Sequence, residues 1–378
     1  MNQRLRNLQT YPMLKLEQRK QELLARGARI FDFGTGDPKE PTPAAIRAAF
    51  QHSVPEVSQY PSVSGKPAMR RAAAGYLRRR FGVSIDPDRE LLPTQGSKEA
   101  IFHLPMTFVE IPSEKDLVVY GVPAYPVFEI GALFAEAWTY ELHLHAGNHY
   151  LMDPDDLPED AKRRAALVFL NYPHNPTGQE LPAELFAKWV KAREEYGFIL
   201  VSDECYADLW YGKTAPRSVL EFGREGCLAV HSLSKRSGMT GYRSGFVAGD
   251  PNLIEQYRRF RAGMGVAPTD PVQAASEVAW NDGEHVAVRR EVFGAKRRLL
   301  AEEFARLGLK VYPGTATLFL WVEAPPGRRG EDYAAELLEH GILVSPGSFY
   351  GSGQERFFRV ALVPSLDECR EALRQWPR

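Results

Sequence analysis

The chain has 378 residues, enough for two domains, or for one large and one small, rather than a single ordinary core. Hydrophobic residues make up 44% of it and charged residues 25%, as in ordinary soluble globular proteins. The net charge of -1 gives no reason to expect nucleic acid or an anionic membrane surface as a partner. No apolar run suggests a secretory signal or a membrane span, and three distant cysteines without a CxxC pair fit a reducing cytoplasm.

The first 30 residues are expected to form a charged helical arm, with a helix from Leu14 to Leu24 that ends at Gly27. A strand over 30–33 follows, and Thr42 is expected to cap a helix that begins near Ala44. The Gly34-x-Gly36 pair does not predict a dinucleotide site, because prolines stand where such a motif needs a helix to begin. We expect Gly36 where the backbone passes close to a ligand.

The middle of the chain alternates short apolar strands with amphipathic helices. The strands are expected at 116–120, 138–144, 165–170, 198–202 and 227–230. This alternation predicts an α/β fold with a mainly parallel sheet and helices on both faces. From about residue 251 helices dominate, and short strands follow over 309–312, 317–322, 342–344 and 357–363, which predicts a smaller α+β domain. We expect an arm over 1–44 that joins the small domain, a large domain over 45–280 and a small domain over 281–378.

Polar side chains follow the predicted strands at their carboxyl ends, where parallel sheets bind ligands: Tyr125, Asn175, Asp203, Tyr206 and Lys235. Gly96 and Ser97 come directly before a helix, whose free N–H groups and dipole favour a phosphate. Simple N-capping by Ser97 is the alternative.

The segment from His231 to Phe246 surrounds Lys235 with small hydroxyl residues and glycines, and Arg243 follows shortly after. This composition suits an amine nucleophile beside an anion site; a glycine-rich surface loop with a solvated lysine is the alternative. Combined with the strand-end residues, it describes a site for a phosphorylated aromatic aldehyde. The lysine would form a Schiff base, an aspartate would hold a pyridine nitrogen protonated, and serine, arginine and a helix N-terminus would hold the phosphate.

Other chemistries find less support. His143, His145 and His149 lack further ligands, so we expect a solvent-facing strand edge and no metal site. The chain has no Gly-x-Ser-x-Gly motif and no Walker loop.

Three motifs occur in a fixed order: Asn175-Pro-Thr-Gly178, Asp203-x-x-Tyr206, and Ser232-x-Ser-Lys235 with Arg243. In this order and spacing the chain resembles, over nearly all its length, the fold-type I, pyridoxal 5'-phosphate-dependent aminotransferases of class I/II. The resemblance implies an aspartate aminotransferase-like fold and a ping-pong exchange between an amino acid and a 2-oxo acid.

The resemblance also implies a role for individual residues. Lys235 would bind the cofactor and move the proton at the substrate α-carbon, and Arg359 would bind the α-carboxylate, with a backbone contact from Gly36. Tyr60 would reach the phosphate of a neighbouring subunit, which implies a homodimer. The remaining cofactor contacts would come from Ser97, Lys98, Tyr125, Asn175, Asp203, Tyr206, Ser232 and Arg243.

The substrate is less sharply indicated. The segments from Ser232 to Asp250 and from Pro271 to Val286 resemble the succinyldiaminopimelate aminotransferases, which would imply a role in lysine biosynthesis with 2-oxoglutarate as acceptor. Gly238-Met-Thr-Gly-Tyr-Arg243 is closer to the aspartate aminotransferase pattern, so aspartate or another amino acid stays open. A distal carboxylate needs a cation, and Arg236, Arg261 and Lys98 are the candidates.

Two further alternatives keep the fold. One is β-elimination, as in carbon–sulfur lyases. The other is a ligand-sensing regulator, which would carry a DNA-binding module ahead of this fold; the short arm is expected to leave no room for one.

Overall fold

The structure, a computed structural model, describes residues 13–377. The predicted arm helix is α1 (Met13–Ala25); the twelve residues before it lie outside the described chain. The other helices are α2 (Ala44–His52), α3 (Pro67–Phe81), α4 (Ser97–Phe108), α5 (Val127–Phe134), α6 (Glu159–Arg164), α7 (Ala183–Tyr196), α8 (Leu233–Arg236), α9 (Pro251–Met264), α10 (Asp270–Asn281), α11 (Glu284–Arg306), α12 (Gly330–Glu339) and α13 (Leu366–Gln375). The strands are β1 (Phe31–Asp32), β2 (Leu91–Thr94), β3 (Leu117–Val122), β4 (Trp138–His143), β5 (Ala165–Asn171), β6 (Ile199–Asp203), β7 (Cys227–Ser232), β8 (Gly245–Gly249), β9 (Phe319–Glu323), β10 (Ile342–Leu343), β11 (Ser345–Pro346) and β12 (Phe357–Ala361).

A seven-stranded sheet in the order β2-β8-β7-β6-β5-β3-β4 forms the centre of the fold. Strands β3 to β7 pair in parallel, whereas β8 is antiparallel to both of its neighbours. The parallel strands are apolar on both sides because both sides are covered: Val118 packs into the cluster under α4, α5 and α9, and Val119 into the cluster under α3, α7 and α10. The prediction of a mainly parallel sheet between helices is therefore confirmed.

A second hydrophobic cluster surrounds the antiparallel sheet β11-β12-β9. Strand β1 pairs in parallel with β10, with Phe31 opposite Ile342, and Leu16 and Phe33 pack into the same cluster. The N-terminal arm thus packs with the C-terminal part of the chain. On this packing we propose the division into a large domain (45–280) and a small one (1–44 with 281–378).

Several local expectations differ from the structure. Thr42 does not cap α2: Pro43 holds the N-cap position, and the Thr42 hydroxyl donates to the Gly238 carbonyl at 2.6 Å. The strand expected over 309–312 is only one bridge, between Val311 and Val322. Helix α13 was not predicted, although Ser365 and Glu368 form a capping box, a sequence pattern that indicates the start of a helix.

Strand β8 was not predicted from the sequence. Two of its five residues are glycines, which weaken strand propensity, and its first two residues belong to the glycine-rich segment around Lys235. Here the glycines are required: a Cβ on Gly245 would lie 2.3 Å from the His231 carbonyl, and one on Gly249 would lie 2.0 Å from the Cys227 carbonyl. Among the described helices, none has the length and apolar character needed to cross a bilayer.

Candidate active site

An open cavity of about 890 Å³ lies at the carboxyl ends of the parallel strands, beside the small antiparallel sheet. It brings together every predicted site residue except Tyr60. The lining includes Gly36, Ser97, Lys98, Tyr125, Asn175, Asp203, Tyr206, Ser232, Lys235, Arg243 and Arg359. The strand-end argument predicts that Tyr125, Asn175, Asp203, Tyr206 and Lys235 share one site, and the cavity also brings in Gly36 and Arg359, which are 323 positions apart in the chain.

Lys235 lies in α8, a single helical turn that begins directly after β7. Ser232 caps this turn, because its Oγ accepts a hydrogen bond from the Ser234 N–H at 3.1 Å. The lysine amine donates to the Gly36 carbonyl. Burial lowers the pKa of Lys235 to about 8, so about a tenth of the amine is neutral and nucleophilic at pH 7.

Asp203 is the last residue of β6 and is only 5% exposed. Burial raises its pKa to about 6, although the Cys205 N–H donates to its Oδ1 at 3.2 Å. A buried carboxylate with a raised pKa is well placed to take a cationic partner, because a nearby positive charge offsets the cost of desolvation. Burial also raises the pKa of Tyr206, whose phenol therefore stays protonated and able to donate.

Strand pairing aligns the polar strand ends. Asn171 lies opposite Asp203 in the register of β5 and β6, and its Nδ2 donates to the Asp203 carbonyl at 3.3 Å. Its Oδ1 accepts from the Asn175 N–H at 3.2 Å, which fixes the start of the Asn175-Pro-Thr-Gly178 turn. The sequence analysis did not propose Asn171, although it is the first polar residue after a buried apolar strand.

An anion cradle forms at the N-terminus of α4. The N-cap is Gly96, at φ 82°, and not Ser97, which is the first helical residue. Arg243 donates from Nη2 to the Gln95 carbonyl at 3.2 Å and from Nη1 to the Thr240 carbonyl at 2.9 Å. A Cβ on Gly96 would lie 2.7 Å from Arg243 Nη2, so glycine keeps the guanidinium beside the helix N-terminus.

Arg359 enters from β12 and is 6% exposed. Its Nη1 donates to Asn175 Oδ1 at 3.0 Å and its Nη2 to the Gly34 carbonyl at 2.7 Å, while the guanidinium lies 3.9 Å from the centre of the Phe319 ring. Its Nε is buried and has no hydrogen-bond partner among the described residues. Arg359 lines the cavity, and a guanidinium there suits a carboxylate ligand.

The two predicted tyrosines Tyr60 and Tyr125 differ in burial and in their position relative to the cavity. Tyr60 is fully exposed, at 102% of its reference area, and does not line the cavity, so its predicted role requires a second subunit. Tyr125 is half-buried, and the Lys98 ammonium lies 5.6 Å from the centre of its ring.

The three cations considered as partners for a distal substrate carboxylate differ in burial and in whether they line the cavity. Arg261 is fully buried and its Nε donates to Glu99 at 2.6 Å, and Arg236 is buried with its Nε donating to Asp208 at 2.7 Å. Neither lines the cavity, whereas Lys98 does. Twelve of the lining residues were not predicted, among them Glu17, Asp37, Asn171, Cys205, Ser234 and Phe319. Cys205 and Ser234 carried a signal, since they lie inside the recognised motifs, whereas Glu17, Asp37 and Phe319 lie outside them.

The histidines considered for a metal site lie at the end of β4, with His143, or in the turn after it, with His145 and His149. The described residues contain no group of three or more His, Cys, Asp or Glu side chains that could hold a metal ion. His145 instead accepts a hydrogen bond from the Gly147 N–H at 3.1 Å.

Comparison with known proteins identifies the family. The model of the aminotransferases of class I and II matches residues 28–375. The chain belongs to this family. It is a pyridoxal 5'-phosphate-dependent aminotransferase with the aspartate aminotransferase-like fold, as the motifs predicted.

Individual relatives of this aminotransferase differ in substrate. The chain is 35% identical to an LL-diaminopimelate aminotransferase from Aquifex aeolicus, over 98% of this chain and 96% of the relative. A structure of a probable N-succinyldiaminopimelate aminotransferase from Thermus thermophilus has a TM-score of 0.90 at 28% identity, covering 96% of this chain and 98% of the other. A mutant aspartate aminotransferase from Thermus thermophilus has a TM-score of 0.91 at 25% identity, covering 99% and 98%.

The residues present suit the cofactor that this family uses. The cavity combines a lysine whose pKa burial lowers, a buried carboxylate at a strand end, and an arginine beside a helix N-terminus. These groups match, in turn, an aldehyde, a pyridine nitrogen and a phosphate.

Proposed function

We propose that this aminotransferase moves the amino group of a diaminopimelate-type amino acid to 2-oxoglutarate by a ping-pong mechanism. One observation carries the proposal. The cavity that Lys235, Asp203 and Arg359 line is also lined by charged side chains of both signs that have no proposed role in binding the cofactor or the substrate α-carboxylate. They are Lys98, Glu17 and Asp37. A substrate with a charged distal end matches such a lining better than an apolar amino acid does.

The roles follow from the contacts. Arg359, which lines the cavity, would bind the α-carboxylate with its guanidinium fork. Lys235 would take the proton from the substrate α-carbon and return it, for which a pKa of about 8 is well suited. The bound cofactor would act as the electron sink for that carbon, and Asp203 would keep its ring nitrogen protonated. Tyr206 and Asn175 would donate to the ring oxygen, and Tyr125 would stack on the ring. The backbone N–H groups of Ser97 and Lys98 would hold the phosphate together with Ser232 and Arg243, which leaves the Lys98 side chain free for the substrate.

The distal end of the substrate distinguishes two candidates. Free LL-diaminopimelate ends in an ammonium and a carboxylate, which match Glu17 or Asp37 and Lys98, respectively. The N-succinyl derivative replaces that ammonium with an amide and adds a carboxylate, so it gains nothing from Glu17 and Asp37. These acidic residues and the 35% identical relative favour the free amino acid; the motif likeness of residues 232–286 and the Thermus thermophilus structure favour the N-succinyl form.

A panel of amino donors tests the proposal. The purified holoenzyme is assayed with 2-oxoglutarate and, in turn, LL-diaminopimelate, N-succinyl-LL-diaminopimelate, aspartate and an aromatic amino acid. We expect the highest kcat/KM with LL-diaminopimelate, and a Glu17→Gln change should raise its KM while leaving that of the N-succinyl form unchanged. A preference for aspartate would refute the diaminopimelate assignment. Pyruvate and ammonia released from cystathionine, without an added oxo acid, would select the β-lyase alternative instead.

We further propose a cytoplasmic homodimer in lysine biosynthesis. The fully exposed Tyr60 and the exposed side chains of Val54 and Val57 nearby support an interface with a second copy, and the three free cysteines fit a reducing compartment.

A further inference from the structure

The residue after the cofactor lysine is buried and makes hydrogen bonds far along the chain. Arg236, the last residue of α8, is 5% exposed. Its Nη1 donates to the Ala279 carbonyl at 2.6 Å and its Nη2 to the Asp282 carbonyl at 3.0 Å. Both acceptors lie where α10 ends and α11 is about to begin, so one side chain ties the Lys235 turn to that junction.

A second set of side-chain contacts links the same two segments. Ser237 Oγ lies 2.9 Å from His285 Nε2, and His285 Nδ1 lies 2.8 Å from Asp282 Oδ2. The connectivity is that of a serine–histidine–aspartate triad, but Ser237 has no exposed surface, so no substrate can reach it as a nucleophile. These contacts instead join Ser237, the residue that follows α8, to His285 in the first turn of α11.

The charge of Arg236 is balanced inside the fold. Asp208 accepts from Arg236 Nε at 2.7 Å and from Arg80 Nε at 3.0 Å, and the Arg236 guanidinium lies 5.1 Å from the centre of the Tyr76 ring. A buried ion pair of this kind is a weak source of stability, because desolvation offsets much of the attraction. The more direct consequence of the ion pair is that it fixes the position of the Arg236 side chain.

We propose that Arg236 is a positioning residue that holds the Lys235 turn in register with the substrate α-carbon; the proposal rests on the proposed role of Lys235 as the base. A turn of four residues is too short to be stable by itself, so its place must be set by contacts with other elements. The guanidinium supplies three of them in one plane, which lysine, with its single ammonium, cannot reproduce.

The test uses the holoenzyme variant Arg236→Lys and, as matched control, Arg80→Lys. Arg80 binds the same Asp208 but otherwise donates to the Ala207 and Pro216 carbonyls, not to the Lys235 turn. The single-turnover rate with L-glutamate is measured with the ordinary donor and with the α-deuterated one. We expect Arg236→Lys to slow the turnover by about 100-fold, the loss typical of a 1 Å misplacement, with a larger isotope effect and unchanged glutamate affinity. Arg80→Lys should stay within about threefold of the wild type, as expected of a residue without contact to the reacting groups.

A second variant separates positioning from stability. In Arg236→Met, Asp208 keeps its ion pair with Arg80, so no carboxylate is left without a cation and the melting temperature should stay near that of the wild type while the turnover remains slow. A fast Arg236→Met variant, or a slow one whose isotope effect equals that of the wild type, would overturn the proposal. The proposed function fails separately, if the unmodified holoenzyme does not turn over any donor of the panel or if borohydride labels a residue other than Lys235.

Discussion

Replacing Asp203 by asparagine should stabilise the cofactor-free protein while it abolishes activity. Burial raises the pKa of Asp203 from 3.8 to about 6, with Glu204 acting in the same direction and His231 against it. The folded state therefore holds this proton up to a higher pH than the unfolded state does. The corresponding stability is fully present below the unfolded pKa of 3.8 and is lost as the pH rises through about 6.

The size of the effect follows from the two pKa values. A difference of roughly 2 units, at 1.36 kcal/mol per unit, is about 3 kcal/mol of folding free energy, of which about 2 kcal/mol is lost between pH 4 and pH 8. Asparagine keeps the shape of the side chain and can still accept from the Cys205 N–H, but it carries no charge at any pH. The stability of Asp203→Asn relative to the wild type should therefore rise by about 2 kcal/mol across this range.

Urea denaturation of the cofactor-free proteins at pH 4 and pH 8, at one protein concentration, measures this difference. The exposed Asp367 provides the control, because Asp367→Asn should change stability by the same small amount at both pH values. A difference for Asp203→Asn that varies by less than about 0.5 kcal/mol between the two pH values would refute the desolvation argument. In the holoenzyme the sign should reverse, since the variant lacks the carboxylate that the bound pyridine ring needs.

Three other predictions concern the cofactor site. Because burial lowers the pKa of Lys235 to about 8, uptake of the cofactor by the apoprotein, followed by visible absorbance, should accelerate as the pH rises through about 8 and then level off; a rate that still climbs well above pH 9 contradicts this. Mixing inactive Lys235→Ala and Tyr60→Ala subunits should restore roughly a quarter of the wild-type activity, because half of the dimers then hold one complete site of two; no recovery after verified subunit exchange excludes the shared site. Gly96→Ala should weaken cofactor binding at least tenfold in an equilibrium titration, because φ 82° and the 2.7 Å approach of Arg243 leave no room for a methyl group, whereas Gly82→Ala, with open space around it, should change affinity little.

The sequence predicted the sheet and the contents of the site through one general property of parallel sheets. Buried strands are nearly continuous apolar runs, so the polar residues that follow a run mark a carboxyl end, as Ser202 and Asp203 do after 198–201. Carboxyl ends of parallel strands meet at one edge, and the cavity lies there. Strand β8 was not predicted because its glycines are required by the close approach of the β7 carbonyls, and the local sequence does not show which strand lies beside β8.

The three candidate cations show that the local sequence does not predict which partners a charged side chain contacts. Lys98, Arg236 and Arg261 look equivalent in sequence, since each is a basic residue in or beside a recognised motif or helix. Their surroundings are decided by partners 28 or more positions away: Asp208 and Ala279 hold Arg236, and Glu99 and the Pro93 carbonyl hold Arg261. Only Lys98 lacks such an acceptor among its described contacts and lies on the cavity wall beside Tyr125. The motif around Lys235 therefore indicates the reaction class, whereas the contacts of the neighbouring cations, to which we assign roles in substrate choice and in positioning Lys235, are set by the packed fold.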